Sequence, residues 1–233
     1  AIGVAPEPYV DDVHAGFDAL FTQNCEPPFT IQFINQSYNS DSFFWNFGDG
    51  QTSTQINPSH TYTTAGFFDV QLYVDGTACG DDVELIEDFV IIDESIPCAT
   101  IFPTTGNQVI NKCSGIIYDA GGPVGNYYDN SNSTLTIHAA GAESILLNIE
   151  EFNVEAGSGF DCDYDYIAFF DGSNTSAELI NSTYYCNSNG NPGTISSTGE
   201  YLTIQFYSDG GLNLSGFKIL YDCLGSENPP APY

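Results

Sequence analysis

The sequence predicts an all-β protein made of two β-sandwich domains in tandem, with extended terminal arms. Apolar and polar residues alternate with a period of two in several segments, whereas the apolar spacing of an amphipathic helix is nearly absent. Gly, Asn, Asp and Ser separate these segments at about the spacing of strands in a sandwich. The chain has 233 residues, which is enough for two domains of ordinary size.

The clearest strands are defined by their alternation. Residues 67–74, 202–206 and 217–221 each place apolar side chains at every second position. Because successive residues of a strand point to opposite faces, each segment has one face suited to a core. Residues 82–92 are the one segment compatible with a helix. This segment follows a strand and ends in β-branched residues, so we predict a strand there as well.

The chain is predicted to divide at residues 94–97, a short polar linker that ends in proline. The first domain then covers residues 12–93 and the second covers residues 98–224. Residues 1–11 and the Pro-rich residues 225–233 have the composition of linkers or extended arms. The sequence contains no Met, so we expect a processed product or a piece of a longer chain.

The charge balance argues against two classes of partner. The chain contains 2 Lys or Arg against 31 Asp or Glu, which gives a net charge of −29. Nucleic-acid binding depends on Lys and Arg contacts to phosphates, and docking on an anionic membrane needs the same residues. No run of about 18 apolar residues is present, so membrane insertion is not expected. The acids are spread along the chain, and we interpret most of them as a solubilising surface.

The cysteines indicate an oxidising, extracellular setting, so we expect a secreted or cell-surface protein. They are widely spaced and none forms a Cys-x-x-Cys pair, so the common zinc and thioredoxin spacings are absent. Their number is odd, which leaves one cysteine free or paired with another chain. The seven are Cys25, Cys79, Cys98, Cys113, Cys162, Cys186 and Cys223.

The first half carries a specific motif. Trp-Asn-Phe-Gly-Asp-Gly at residues 45–50 is followed by Pro-Ser-His-Thr-Tyr at residues 58–62 and then by an alternating strand. This pattern strongly resembles the polycystic-kidney-disease (PKD) repeat over residues 15–92. The resemblance implies a seven-stranded, immunoglobulin-like sandwich in which His60 is a packed, hydrogen-bonded structural residue.

The second half carries a longer series of motifs. Cys-Ser-Gly stands at residues 113–115, Cys-Asp-Tyr-Asp-Tyr at residues 162–166, and Gln-Phe-Tyr-Ser-Asp at residues 205–209. Their order is similar to that of a CUB domain of the bacterial kind over residues 113–223. The resemblance implies a compact antiparallel β-sandwich.

The two resemblances also imply a disulfide pattern. Animal CUB domains join their first cysteine to one just before the third strand, where this chain has Ser133. Cys113 therefore needs another partner. We expect Cys25–Cys79 in the first domain and Cys162–Cys186 and Cys113–Cys223 in the second. This set leaves Cys98 over. The pairings Cys98–Cys223 and Cys98–Cys113 stay open as alternatives.

A group of acids in the second half is a candidate calcium site. Residues 161–165 begin like an EF-hand loop, but Tyr166 stands where that loop needs Gly, so an EF-hand is excluded. In calcium-binding CUB domains the ligands lie at one end of the sandwich. Three acids gathered without a base repel one another unless a cation neutralises them; the alternative is three solvated loop acids. The ligands implied by the resemblance are Glu155, Asp165 and Asp209, with Tyr127 orienting the acids and Asn213 or the nearby backbone adding a carbonyl.

The sequence offers no sign of catalysis. His-Glu-x-x-His, Gly-x-Ser-x-Gly, the P-loop and Gly-x-Gly-x-x-Gly are all absent, so we predict that the chain is not an enzyme.

Asn-x-Ser/Thr marks candidate glycan sites on loops and strand edges. These sites are Asn35, Asn132, Asn174, Asn181 and Asn213.

The leading functional hypothesis is a surface fibre subunit or adhesin segment stabilised by Ca²⁺. Identical subunits would assemble head to tail, with Ile2, Val4, Tyr9 and Val10 of the N-terminal arm adding a strand to a sheet of the next subunit. The alternative is a pair of accessory domains that anchor a secreted hydrolase to surface polysaccharide or protein.

Overall fold

A computed structural model describes residues 12–76 and 80–225. These residues form two compact units, one that ends at Asp93 and one that begins at Glu94. Regular structure is almost entirely β-strand, and the described part of the chain contains one short 3₁₀-helix, Ile180–Ser182. The all-β fold class, with two β-sandwiches in tandem, is confirmed. No helix within the described ranges is long and apolar enough to cross a membrane.

The described part of the first unit contains eight strands in two sheets. The sheets have the orders β1-β3-β6 and β2-β8-β7-β4-β5. The PKD resemblance implied seven strands, one fewer than the structure has, and two of the eight are only two residues long. The strands are β1 (Phe17–Ala19), β2 (Gln23–Asn24), β3 (Phe29–Asn35), β4 (Ser42–Asn46), β5 (Thr52–Ser53), β6 (Ser59–Tyr62), β7 (Gly66–Gly76) and β8 (Gly80–Ile92).

Strands β7 and β8 form a long antiparallel hairpin. Their pairing runs from Gly66 opposite Ile92 to Gly76 opposite Gly80, with a shift in register between Phe68 and Val70. The segment predicted over residues 67–74 therefore lies within β7. The ambiguous segment over residues 82–92 lies within β8, which excludes its helical interpretation.

The Gly-Asp-Gly turn and the histidine motif pack together in the first core. Gly48 has φ of 79°, and an added Cβ there would lie 2.5 Å from the Asp69 carbonyl oxygen, so this position needs glycine. The His60 ring stacks on Phe47 with centroids 4.1 Å apart, and its Nε2 lies 2.8 Å from Asp49 Oδ2. His60 is thus a packed, hydrogen-bonded residue, as the PKD resemblance implies.

The second unit contains two five-stranded sheets with the orders β10-β12-β17-β14-β15 and β16-β13-β18-β11-β9. Most neighbouring strands are antiparallel, but β10–β12 and β9–β11 are parallel. The strands are β9 (Ala99–Ile101), β10 (Thr105–Ile110), β11 (Ser114–Tyr118), β12 (Asn132–His138), β13 (Ser144–Asn153), β14 (Tyr166–Asp171), β15 (Glu178–Leu179), β16 (Thr194–Ser196), β17 (Tyr201–Tyr207) and β18 (Gly216–Leu224).

One core fills the space between these two sheets. Leu135, Phe169 and Ile204 belong to the first sheet, Leu147 and Ile219 belong to the second, and all five are fully buried in a single cluster. Burial of each such side chain favours folding by roughly 1.5–3 kcal/mol. The predicted strands over residues 202–206 and 217–221 lie within β17 and β18 and supply alternate residues to this core.

Two disulfides lie at different places in the second unit. Cys113 directly precedes β11 and is bonded to Cys223 of β18, with Cα atoms 5.0 Å apart. Cys162, in the loop after β13, is bonded to Cys186, with Cα atoms 5.6 Å apart. Ser133, at the position of the animal-type cysteine, instead donates a hydrogen bond to the Pro103 carbonyl.

The remaining predicted pairing is Cys25–Cys79. Cys79 lies outside the described residues, so this pairing is not tested. The expectation that Cys98 is left over is wrong, because Cys25 and Cys98 are both disulfide-bonded. The alternatives Cys98–Cys223 and Cys98–Cys113 are also excluded, because Cys113 and Cys223 are bonded to each other. Cys98 lies just before β9, and its carbonyl accepts a hydrogen bond from the Ile116 N–H at 2.8 Å. Cys98 and Cys113 therefore lie at the same end of one sheet, although they are 15 positions apart in the sequence.

Candidate metal centre

Three loops meet at one end of the second unit. They follow β11, β13 and β17 and cover residues 119–131, 154–165 and 208–215; we call them the site loops. Hydrogen bonds between the loops hold them together. The Asn126 side-chain amide donates to the Asn213 carbonyl at 3.0 Å, and the Asn130 N–H donates to the Asp209 carbonyl at 2.6 Å.

The site loops bring three acids together. Glu155, Asp165 and Asp209 each offer a carboxylate oxygen, and these oxygens all lie within 4.8 Å of one another. Asp165 is buried, whereas Glu155 and Asp209 are half-buried. These are the three acids that the CUB resemblance implies as ligands. They are separated by up to 54 positions in the sequence and become neighbours only through the sandwich fold.

Tyr127 positions the cluster. Its buried hydroxyl donates to Asp165 Oδ2 at 2.6 Å and accepts from the Glu155 backbone N–H at 3.1 Å. The Asp209 N–H donates to Asp165 Oδ1 at 2.8 Å. These bonds connect all three site loops to the Asp165 carboxylate. The phenol therefore orients the acids by hydrogen bonding, which is the role that the resemblance implies for Tyr127.

The acids disfavour one another's ionisation. Burial raises the pKa of the Glu155 carboxyl, and the negative charges of Asp165 and Asp209 raise it further. Burial also raises the pKa of the Asp165 carboxyl, and this outweighs the opposing hydrogen bonds from the Tyr127 hydroxyl and the Asp209 N–H. A cation held between the carboxylates would instead favour their ionised form and lower their pKa values.

The chain's two lysines are engaged elsewhere. Lys218 Nζ lies 2.9 Å from Glu150 Oε2, and this hydrogen bond raises the lysine pKa. Lys112 Nζ donates to Cys98 Sγ at 3.2 Å. Neither contact involves the acidic cluster, so these contacts supply it with no positive charge.

Glu155 Oε2 carries the strongest indication of a cation. This atom is buried and has no hydrogen-bond partner in the protein. A buried carboxylate oxygen without a partner is costly, and an ion bound to it would remove that cost. The donors available here are oxygens, which suits Ca²⁺ because it takes six to eight oxygen ligands. The cluster therefore fits a hard divalent cation.

Gly211 borders the cluster, and because it has no side chain, the space between the carboxylates stays open. Its N–H donates to Asp209 Oδ1 at 2.7 Å. A Cβ at this position would lie 2.8 Å from Asp209 Oδ1 and 3.7 Å from Glu155 Oε2, so a larger residue would enter the space between the carboxylates. Asn213 follows in the same loop and is tied to Asn126 through its carbonyl. Its role as a ligand stays a prediction.

Asp119 is a buried acid that our sequence reasoning treated only as part of a motif. Its carboxylate accepts from the Gly121 N–H at 2.8 Å and from the Phe217 N–H at 3.0 Å, which ties the 119–131 loop to β18. Burial raises its pKa to about 6. An added Cβ at Gly216 would collide with this carboxylate. The Ser-Gly-Phe motif at residues 215–217 could have indicated such a close approach.

The site loops also carry large exposed apolar side chains. Isolated apolar residues on a surface are ordinary, but several in the same loops can form an interaction surface. Phe160, at the tip of the 154–165 loop, is 88% exposed. The full group is Val124, Tyr128, Phe160, Tyr164 and Leu212.

Two further sets of predicted residues stay untested. The N-terminal arm residues Ile2, Val4, Tyr9 and Val10 lie outside the described residues. The five candidate glycan sites differ in exposure, since the side chains of Asn132, Asn174 and Asn181 are exposed and those of Asn35 and Asn213 are half-buried.

Family comparisons assign both halves of the chain. The PKD domain matches residues 8–88 and the CUB domain matches residues 106–221. Both are non-catalytic domain families. The CUB match includes Tyr127 and the three clustered acids.

The curated relatives each match about half of this chain. Cubilin of Sus scrofa is 35% identical over 101 residues, which is 43% of this chain and 3% of cubilin. The inactive serine protease PAMR1 of Bos taurus is 36% identical over 95 residues, which is 40% of this chain and 12% of that protein. Neuropilin-2 of Homo sapiens is 33% identical over 130 residues, which is 54% of this chain and 13% of the relative. The chain thus spans only a small part of these relatives.

Solved structures resemble each half separately. The CUB2 domain of MASP-1, crystallised with bound Ca²⁺, is 24% identical, with a TM-score of 0.43, and the match covers 49% of this chain and 96% of that structure. The PKD1 domain of the Vibrio cholerae metalloprotease PrtV is 26% identical, with a TM-score of 0.29, and the match covers 36% of this chain and 99% of that structure.

Proposed function

Because the chain consists of a PKD domain followed by a CUB domain, we propose that it is a non-enzymatic extracellular adhesion or binding module whose CUB domain binds Ca²⁺. The families support a binding role rather than a catalytic one. The disulfides Cys113–Cys223 and Cys162–Cys186 suit a secreted or cell-surface location, because such bonds persist in oxidising compartments.

The calcium proposal rests on the buried, unpartnered Glu155 Oε2 within a cluster of three carboxylates. Glu155, Asp165 and Asp209 would hold the ion, and Tyr127 would keep Asp165 oriented toward it. Bound Ca²⁺ would supply positive charge that offsets the mutual repulsion of the acids. It would thereby hold the site loops in one arrangement.

The site loops are then the proposed contact surface for a partner. Their exposed apolar side chains, from Val124 to Leu212, lie in the same three loops as the acidic cluster. Apolar side chains provide buried area on binding, and a charged group at the centre provides orientation. Because the ion fixes the loops, partner binding at this end should depend on calcium.

The experiment compares two single-charge variants in the site loops. Asp209→Asn removes one proposed ligand, whereas Asp161→Asn removes an exposed acid of the 154–165 loop that is not part of the cluster. Calorimetric titration with Ca²⁺ should show at least tenfold weaker binding for Asp209→Asn and unchanged binding for Asp161→Asn. Stoichiometric Ca²⁺ should also raise the melting temperature of the unmodified protein relative to EDTA.

Two results would contradict this proposal. One is an unchanged melting temperature in EDTA together with no heat of calcium binding. The other is equal weakening in both variants, because this would mean that the ion is attracted by general negative charge rather than held by the three-acid cluster.

A finer proposal is that identical copies assemble into a surface fibre through the N-terminal arm. The rival is an accessory role, in which the two domains anchor a secreted hydrolase to polysaccharide or protein. Electron microscopy of the native material distinguishes them, because repeating fibres support assembly and monodisperse particles support the accessory role.

A further inference from the structure

The outward face of the β10-β12-β17-β14-β15 sheet carries no Asp, Glu, Lys or Arg; we call it the neutral face. The outward positions are those that alternate with the buried Leu135 and Ile204. On β12 and β17 they include Asn132, Thr134 and Gln205. The outward Ala168, Phe170 and Thr203 are buried, so the exposed part of this face lies mainly on β10 and β12 and at the ends of β17. An uncharged surface of this kind is unusual in a chain with 31 acids and a net charge of −29.

A cleft lies on the neutral face between the edge strand β10, its neighbour β12 and the loop of residues 173–175. It has a volume of about 170 Å³, which is smaller than the roughly 300–1,000 Å³ of sites for drug-sized ligands, so it suits a single small ring. One wall is the loop of residues 173–175 and the other includes Asn107 and Thr134. Hydrogen bonds fix both walls, since Thr134 Oγ1 donates to Asn107 Oδ1 at 3.0 Å and Thr203 Oγ1 donates to the Gly172 carbonyl at 2.8 Å.

Aromatic pairs stand at both ends of the neutral face. Tyr166 and Tyr207 stack with centroids 5.3 Å apart and an interplanar angle of 19°, and both are half-buried. His138 and Tyr201 stack with centroids 4.2 Å apart. Tyr207 lies opposite Asn132 and Tyr201 lies opposite His138, so the two pairs are six residues apart along the strands, or about 20 Å at ~3.4 Å per residue.

We propose that the neutral face binds an uncharged oligosaccharide. Its hydroxyl and amide side chains, such as Thr134 and Asn107, can donate and accept hydrogen bonds with sugar hydroxyls. The stacked tyrosines can pack against the apolar C–H faces of sugar rings. The absence of carboxylates removes any preference for cationic ligands, and the negative charge of the chain repels acidic glycans. The spacing of the aromatic pairs suits a chain of several sugars with one ring in the cleft.

The test uses the full chain produced in a host without N-glycosylation, because Asn174 lines the cleft and is itself a candidate glycan site. The probes are hexasaccharides of glucose and mannose in several linkages, with oligogalacturonate as the acidic comparison. We expect binding to at least one neutral hexasaccharide and none to oligogalacturonate. Tyr207→Ala should raise the Kd about tenfold, and Tyr207→Phe should largely restore it, since stacking needs the ring and not the hydroxyl.

Asn107→Asp and Asn148→Asp provide a matched pair. Both add one charge in place of an exposed amide, but Asn148 lies on the opposite sheet. Only Asn107→Asp should weaken binding, because it removes an amide donor from the cleft while keeping the acceptor for Thr134. Equal effects of the two variants, binding that survives Tyr207→Ala in a folded protein, or binding to none of the neutral probes would overturn the proposal.

This site does not require the proposed calcium function. Asp209→Asn should leave oligosaccharide binding unchanged, because Asp209 lies in a site loop and not on the neutral face. Loss of oligosaccharide binding in Asp209→Asn would place the sugar at the site loops and thus refute the neutral face as its site. A neutral protein partner captured by the same face would likewise replace the oligosaccharide proposal.

Discussion

At the residue scale, the acidic cluster depends on both sequence motifs and the fold. The motifs predict which acids take part, and the fold determines how they are buried. Motif order predicted Glu155, Asp165 and Asp209 as candidate ligands, because each follows a recognisable aromatic or serine neighbour in the CUB pattern. The sequence could not show that Glu155 Oε2 is buried without a partner. That property depends on how the site loops pack around this atom. Loop packing leaves no periodic pattern in the sequence, so it could not be predicted.

The pH dependence of stability should reveal the buried Asp119 carboxyl. Its pKa is about 6 in the folded protein against an ordinary 3.8, because burial penalises the charged form. A raised folded pKa means that the stabilising contribution is complete below about pH 4 and is lost as the pH rises through 6. The unmodified protein should therefore lose about 3 kcal/mol relative to Asp119→Asn over this window, at 1.36 kcal/mol per pKa unit.

The measurement is amide hydrogen exchange in β18 of both proteins at fixed calcium concentration. The single tryptophan lies in the first unit, so its fluorescence does not follow this domain. Asp119→Asn also loses a hydrogen-bond acceptor, which shifts its stability by an amount that does not vary with pH. A stability difference that stays constant from pH 4 to 7 would mean that Asp119 is ionised as easily in the folded state as in the unfolded one.

At the element scale, long strands were predictable and short ones were not. Strands β7, β17 and β18 each offer alternating apolar residues, which is a strong local signal. The two-residue strand β2 and the three-residue strand β9 have too few residues to show alternation. Both pair in parallel with distant partners, and such pairing is set by tertiary structure rather than by the local sequence.

The Cys162–Cys186 disulfide should control the calcium site through the 154–165 loop. Glu155 and Asp165 lie on either side of Cys162, so the bond limits the motion of both proposed ligands. Replacing both cysteines by serine should lower stability by roughly 3 kcal/mol and weaken calcium binding at least tenfold.

The matched control replaces Cys113 and Cys223 by serine. This bond lies at the end of β18 remote from the site loops. Its loss should reduce stability by at least as much, because this bond closes a longer loop, 110 residues against 24, while leaving the calcium affinity within about twofold. Equal weakening of calcium binding by both pairs of substitutions would show that affinity follows global stability and not the 154–165 loop.

At the scale of the whole molecule, the net charge of −29 limits how copies can associate. Copies repel one another at low ionic strength, and salt screens this repulsion over about 8 Å at 0.15 M. Assembly through a terminal arm should therefore strengthen as salt rises, because strand addition relies on main-chain hydrogen bonds and apolar side chains. Association through charged contacts would weaken under the same change.

Deleting residues 1–10 tests the assembly hypothesis directly. All described strands begin after this segment, so both domains should stay folded while self-association is lost. Val4→Asp in the full chain should weaken association, because a carboxylate would have to be buried without a partner in a β interface. Ile56→Asp is the control, since it places the same charge at an exposed apolar position in a loop outside the site loops. Light scattering and negative-stain imaging at equal concentration, with Ca²⁺ present, provide the measurement. Fibres from the truncated chain would show that the arm is not the donated strand, and no association by either chain would favour the accessory-domain alternative.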